Sequence, residues 1–421
     1  MPGANGDDTP FCPDVGVVFL VPDHWRSLPQ LRHQVAIRLA RYFRVLWVDA
    51  IPTGTGRFID DQQPAAERPD FSADGLIVRS PRLGHKLLHR VKPLRPMALR
   101  SRVRDAVRTL RLAGVSRVVL YVWRPGFADF VDEVEHDFLL YHVDDEYSFS
   151  ESERPMSAGE RKLLAAADCV FVHSPRLLEL KGACNPNTVF LPNGVDYLPF
   201  SSPVPEHPEL AAIPRPRLGY AGVVKSQLDL DLLLALARVR PDWSLVLVGP
   251  LGNTNDKAAT LAALQALPNV YLLGRKPLAD LPAYVQHFDV GIMPYAINAY
   301  TSCIYPLKLH EYLAAGIPVV STPIRSALDF SGILGIAADV DGWCQAVEAA
   351  LAGSAHDTGG REMRQQLARQ HDWSHIVARI AVEIGKLLGG DVERDGVRLD
   401  EVARRPFDAA DLAQYSRPPP G

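Results

Sequence analysis

Cysteine is scarce in this 421-residue sequence: Cys12, Cys169, Cys184, Cys303 and Cys344 are odd in number, far apart and form no Cys-x-x-Cys pair. That excludes a disulfide framework and a zinc cluster and points to a reducing cytosol. No run of about 18 apolar residues occurs, so no spanning helix is expected. The opening MPGANGDDTPFCPD carries acid and proline where a secretion signal has a basic stretch and an apolar core. An excess of basic charge is also missing. The 45 Lys and Arg against 49 Asp and Glu leave a net charge of −4, which argues against a dedicated nucleic-acid binder. Gly54-Thr55-Gly56 lacks the last glycine of a dinucleotide fingerprint and opens no convincing helix, which disfavours an oxidoreductase.

What is present is an ordinary globular composition, 47% apolar and 22% charged, in a chain long enough for two to three domains. Short β-branched runs alternate with helical patterns: strands are expected at Val15–Val21, Val45–Val48, Leu76–Val78, Val118–Val122, Phe138–Tyr141, Cys169–His173 and Thr188–Leu191, with a helix over Leu28–Phe43. Six prolines between Pro199 and Pro216 read as an interdomain linker. The alternation then restarts, with strands at Leu218–Tyr220, Leu245–Val248, Val270–Leu273, Val290–Met293 and Val319–Ser321 and helices at Leu228–Val239, Ala258–Ala266, Leu278–His287 and Pro306–Ala315. Two doubly wound parallel sheets follow, binding ligands at the carboxyl ends of their strands. The expected division is residues 1–200, a linker at 201–216, a second domain at 217–390 closed by a helix around Ser374–Leu388, and a mobile polar tail at 391–421.

The segment CIYPLKLHEYLAAGIPVVSTP, Cys303 to Pro323, concentrates the chemistry. Pro306 suits a helix start, and Gly316 with Pro318 marks its end. Lys308 and Glu311 share one face of the first turns, beside free N–H groups that favour an anion. A lysine plus a helix N-terminus makes a pyrophosphate site, and a glutamate one turn on accepts both hydroxyls of a ribose. On spacing alone, an exposed Lys/Glu pair is the slightly favoured reading.

Pro306 to Thr322 resembles the donor-site signature of GT-B glycosyltransferases, particularly bacterial enzymes of exopolysaccharide and teichuronic-acid assembly. Tyr141-His142-Val143-Asp144-Asp145, Leu191-Pro192-Asn193-Gly194-Val195-Asp196, Gly219-Tyr220-Ala221-Gly222 and Leu247-Val248-Gly249-Pro250 follow the same group's order. The resemblance implies an α/β, GT-B chain of two Rossmann-like domains facing a cleft, and a transferase of hexosyl type. Its donor would be a nucleotide diphosphate sugar, more often UDP- than GDP-linked, held by the C-terminal domain, and its acceptor a glycan or lipid-linked glycan on the N-terminal one. Lys308 would contact the diphosphate, Glu311 the ribose, and Gly222 would admit the phosphates to the backbone. Arg275 and Tyr295 stand at strand ends where base or sugar contacts are expected, or merely line the cleft.

Asp144 and Asp145, after a strand of the first domain, are candidates for the base that takes the acceptor's proton, with Asp144 slightly favoured; a loop or cap role stays open. Lys308 and the helix terminus would steady the leaving diphosphate without a metal or cofactor. Many retaining relatives carry a glutamate eight residues before the ribose-binding one. Here Cys303 stands there, which favours inversion. His24, Arg32, His33, His173, Ser174, Asn193 and Gly194 flank the same cleft. The pairs Asp229/Asp231 and Asp339/Asp341 read as caps and turns, not metal ligands.

Arg79 to Arg111 holds eleven basic residues against one acid, Asp105, with leucines interleaved. That mixture favours an anionic membrane surface and a cytoplasmic, peripheral placement; a solvated helical face is the plain alternative. A nucleotide-sugar epimerase and a non-catalytic nucleotide-sugar binder share the expected architecture, and product formation with an acceptor separates them from a transferase.

Overall fold

Short runs of Val, Leu and aromatic residues cannot bury both faces alone; laid side by side and covered by helices, they can. In the computed structural model, which describes residues 9–25, 31–50, 75–147, 155–254, 257–354 and 358–404, they form two parallel sheets. The first contains β1 (Cys12–Leu20), β2 (Phe43–Val48), β3 (Leu76–Arg79), β4 (Arg117–Val122), β5 (Phe138–Val143), β6 (Cys169–Val172) and β7 (Thr188–Phe190), ordered β3-β2-β1-β4-β5-β6-β7. The second contains β8 (Arg217–Ala221), β9 (Ser244–Val248), β10 (Val270–Gly274), β11 (Val290–Met293), β12 (Val319–Ser321) and β13 (Gly335–Ile336), ordered β10-β9-β8-β11-β12-β13. Each order reverses once, between β1 and β4 and between β8 and β11, and a crevice opens at such a switch point.

Helix α1 (Leu31–Leu39) covers one face of the first sheet. It is shorter than the pattern predicts because Tyr42 and Phe43 turn into β2. Helices α2 (Leu83–Arg90) and α3 (Arg95–Leu112) follow β3, and α3 places Val103, Ala106, Val107 and Leu110 in the core on the other face.

Three expectations about the domain plan need correction. The Pro-rich stretch is folded: Phe200, Leu210 and Ile213 belong to the second domain's core, and Arg217 pairs with Glu206. Proline there shapes short helices, Tyr197–Ser201 and Pro208–Ala211, that pack rather than dangle. The last long helix, Trp373–Leu387, does not close the second domain. Its apolar face, Ile376, Val377, Ile380, Ala381 and Ile384, joins the core of the first domain beside α1. Finally, the expected tail is structured through residue 404. A hairpin of β14 (Glu393–Arg394) and β15 (Val397–Arg398) leads into the helix Leu399–Arg404, whose Leu399 and Val402 enter the same core. The remainder of that expected tail, Gly54-Thr55-Gly56 and residues 28–30 of the predicted first helix lie outside the described residues.

The chain therefore crosses between domains at two neighbouring places. Val195 N–H donates to His371 O at 2.9 Å, and Trp373 N–H donates to Val195 O at 3.0 Å. Among the described residues, no helix is long and apolar enough to cross a membrane.

Candidate active site

The donor-side crevice is built from the turns that follow β8, β9 and β10. Gly222 N–H donates to Val248 O at 2.8 Å, and Gly249 N–H donates to Gly274 O at 2.9 Å. A Cβ on Gly249, at φ +148, would lie 2.0 Å from Gly222 O. Gly222, at φ +153, has Lys308 Cε 3.2 Å from where its own Cβ would be. Glycine here keeps bare backbone facing the opening, as the sequence implies.

The helix Leu307–Ala315 starts one residue after Pro306 and ends on Gly316, at φ +74. Its inner face is fixed by Tyr312, whose hydroxyl accepts from Ala221 N–H at 2.9 Å. Its first turn presents Lys308 to the β8/β11 switch point. The ammonium donates to Tyr295 Oη at 2.8 Å and lies 4.9 Å from the Tyr220 ring centroid. Burial pushes the Tyr220 phenol up to about 12, so both hydroxyls stay neutral. Among the described residues no carboxylate lies within 4.0 Å of Lys308. Its charge is oriented but not neutralised, as an anion site requires.

Glu311 follows one turn later. Burial pushes its carboxyl up to about 7; Lys308 opposes that rise and Asp196 adds to it. Arg275 follows β10, two strands or roughly 10 Å from β8. Tyr295, just past β11, is a holder of Lys308 in this geometry.

The facing wall comes from the first domain. Asp144 is almost fully buried, 2% exposed, between Arg32 and Arg124; Arg124 Nη1 lies 2.8 Å away, and the Tyr147 hydroxyl also donates to it. Although burial opposes ionisation, the two guanidiniums hold its carboxyl below the usual range. A carboxylate so occupied is a poor proton acceptor, and the slight preference for Asp144 is reversed. Asp145 is half-buried, and burial together with the Asp144 charge raises its pKa. The Tyr300 phenol, from the second domain, feels the Asp145 charge. Lys225 feels both the like charge of Lys308 and the opposite charge of Asp145. Those contacts place Asp145 and Lys308 on opposite walls of one cleft.

Behind this loop, Lys181 Nζ sits between Glu146 Oε1 at 2.9 Å and Glu160 Oε1 at 2.5 Å, all nearly buried. The cluster anchors residues 144–147. Sequence reasoning missed it, along with Tyr220, Arg124, Tyr147, Lys225 and Tyr300. Its members lie up to 35 residues apart, and no local spacing marks them.

The remaining candidates are mostly structural. His33 Nε2 bonds Trp25 O at 3.1 Å, and His173 Nδ1 bonds Val143 O at 3.1 Å, both buried. Ser174 caps a helix by accepting from Leu177 N–H at 3.2 Å. Asn193 Nδ2 donates to Tyr305 O at 2.7 Å, joining the domains, and Gly194 is tight against Trp373. His24 Nε2 faces Asp49 at 3.0 Å and is 30% exposed. Asp229 caps its helix by accepting from Leu232 N–H at 2.9 Å, and Asp339 accepts from Gly342 N–H at 2.8 Å. Cys303 packs into the first domain's core, where burial raises its thiol pKa.

Comparison with known proteins agrees with this architecture. The protein described as teichuronic acid biosynthesis glycosyltransferase TuaH, of Bacillus subtilis (strain 168), is 33% identical over 195 residues, covering 45% of this chain and 48% of TuaH. The chain thus spans about half the length of that curated relative. WaaG, a glycosyltransferase involved in lipopolysaccharide biosynthesis, has a similar structure with a TM-score of 0.55 at 15% identity, covering 89% of this chain and 100% of WaaG. The trehalose-6-phosphate structure from E. coli bound with UDP-2-fluoro glucose gives a TM-score of 0.56 at 14% identity, covering 90% of this chain and 100% of that one. The family described as Glycosyl transferases group 1 matches residues 215–353. Those residues, which carry β8 to β13 and the Lys308 helix, are similar to the group 1 glycosyltransferase family, and the chain as a whole shares the fold of these solved structures.

Proposed function

We propose that the chain transfers a sugar from a nucleotide diphosphate sugar, a UDP-sugar first, to a glycan or lipid-linked acceptor in cell-surface polysaccharide synthesis. The observation that carries this reading is Lys308, whose charge is held by the Tyr295 hydroxyl and the Tyr220 ring at the switch point beside the bare backbone of Gly222. An ammonium and unpaired helix N–H groups at one point fit a diphosphate. Glu311, one turn on, fits ribose hydroxyls.

In the transfer, the acceptor hydroxyl oxygen bonds to the anomeric carbon as the bond from that carbon to the diphosphate oxygen breaks. The electron pair leaves on the diphosphate, where Lys308 offsets it. The hydroxyl proton goes to Asp145, whose raised pKa suits a base working near neutrality better than the locked Asp144. A single displacement inverts the anomeric centre, and the absence of a carboxylate at Cys303 supports that course. The leaving group is served by Lys308 and the helix N-terminus, and the reading assigns no step to a metal. The basic, leucine-bearing segment Arg79–Arg111 supports work at an anionic membrane surface.

The test is a panel of UDP- and GDP-sugars scored by thermal stabilisation. A ligand at about 100 times its dissociation constant adds roughly 2.7 kcal/mol, and Lys308→Met is expected to remove that gain. No stabilisation by any member of the panel overturns the reading.

A further inference from the structure

Helix α2 presents to water what a surface helix ordinarily hides. Leu83 and Leu87, one turn apart, and Val91 just beyond are 74, 52 and 47% exposed, and no residue of α2 is buried. Exposed Lys86 and Arg90 flank them, and Arg82, Lys92 and Arg95 continue the charge. An apolar row bordered by cations complements an anionic bilayer surface, where the leucines reach the acyl boundary and the ammonium groups reach headgroups.

Beneath α2, at the carboxyl ends of β2 and β3, lies a pocket lined by Arg79, Arg82, His85, Arg102, Asp105 and Thr109. Arg102 is the decisive residue. It is 7% exposed, and its Nη2 has no hydrogen-bond partner among the described residues. Asp49 acts on it only through space, and burial pulls the guanidinium down to about 10. Asp105 lies 3.8 Å from both Arg82 and His85. Among the described residues the Arg79 guanidinium donates to Thr109 Oγ1, at 3.0 Å, and to no carboxylate. Three guanidiniums thus converge on a space holding one carboxylate. The chemistry that completes such a set is a phosphate, whose oxygens accept from several guanidinium N–H groups at once.

We propose that this pocket takes the phosphate of an anionic lipid headgroup while α2 lies on the bilayer. The inference rests on the reading of the chain as a transferase working at a membrane, but on none of the residues assigned to the transfer. β2 lies three strands from β5 in the sheet, roughly 14 Å, so the pocket anchors the protein and is not where the sugar moves.

The test sediments the full chain with phosphatidylcholine vesicles, with and without one-third phosphatidylglycerol, at an ionic strength of about 0.15 M. Wild type is expected to pellet only with the anionic vesicles. Arg102→Gln should weaken that binding at least tenfold, about 1.4 kcal/mol. The pair Arg79→Gln/Arg82→Gln, both exposed, should do the same without touching the core, and so carries the test if the buried variant fails to fold. Arg104→Gln/Arg108→Gln, an equal loss of exposed charge outside the pocket, should weaken binding far less. Equal losses in the two paired variants overturn the pocket, leaving diffuse charge. Binding of inorganic phosphate without vesicle binding overturns the lipid source. Nucleotide-sugar stabilisation of the same samples is read separately, so failure of the transferase reading shows as no donor response while the vesicle result stands.

Discussion

At the residue scale, adjacent carboxylates have opposite fates. Asp145→Asn is expected to lower turnover by about 10²- to 10⁴-fold, the usual worth of a positioned base, with donor-induced stabilisation intact. Asp144→Asn is expected to cost stability, about 1–3 kcal/mol, because buried Arg32 is left with Asp23 and the partly exposed Arg124 loses its closest carboxylate. Comparing steady-state rates with melting curves for the two variants checks both; a stable, inactive Asp144→Asn would reverse the assignment. Glu311 gives a pH signature. Its folded pKa of about 7 stands above the ordinary 4.5. The stability it contributes is therefore present below the unfolded value and lost as pH rises through the folded one. Glu311→Gln should be the more stable protein at pH 8, by an amount on the order of 3 kcal/mol, with the advantage shrinking toward pH 4.5, while donor binding is lost at both. Of these residues, Lys308 and Glu311 were legible in sequence because three-residue spacing on a helix is a local fact. The choice between Asp144 and Asp145 was not, because the deciding partner, Arg32, is 112 residues away.

At the element scale, the donor crevice depends on three turns whose backbones nearly touch. Gly249→Ala forces a Cβ to within 2.0 Å of the Gly222 carbonyl oxygen, so the β8 and β9 turns must part. The expected result is a loss of donor affinity of tenfold or more, with a stability cost of about 1–3 kcal/mol from the strained backbone. Calorimetric titration with the stabilising UDP-sugar measures the first and denaturant unfolding the second; unchanged affinity would show that the glycine row does not line the donor site. Element type was readable where period and length agreed: the strands of both sheets stand within a few residues of the expected runs. The two-residue β13 was not, since Gly335-Ile336 has no period to detect. The Pro199–Pro216 stretch misled because proline density reports on regular structure and says nothing about burial. Phe200, Leu210 and Ile213, set between those prolines, are the residues that dock it.

At the scale of the whole molecule, the two domains are not successive along the chain, because the first borrows its last covering helix from the far end. The amphipathic period of Trp373–Leu387 announces a helix but not which sheet it covers, and that is why sequence order assigned it to the wrong domain. The consequence is measurable. Ile380 is fully buried in the first domain's core although it follows every strand of the second. Ile380→Asp places a charge there without a partner, which is expected to cost more than about 3 kcal/mol. Hydrogen exchange should then accelerate across β1, β2 and β4, about 260 to 370 positions upstream of the substitution by sequence arithmetic. Protection of β8, β9 and β11 should change little, and a UDP-sugar should still slow exchange in the Lys308 helix. If β8 to β12 lose protection first, the helix belongs to the second domain after all. If the substitution spares donor binding but abolishes turnover, the two lobes divide the work as the opposing placement of Lys308 and Asp145 requires: one grips the nucleotide, and the other, held in shape by a helix from beyond it, presents the acceptor and its base.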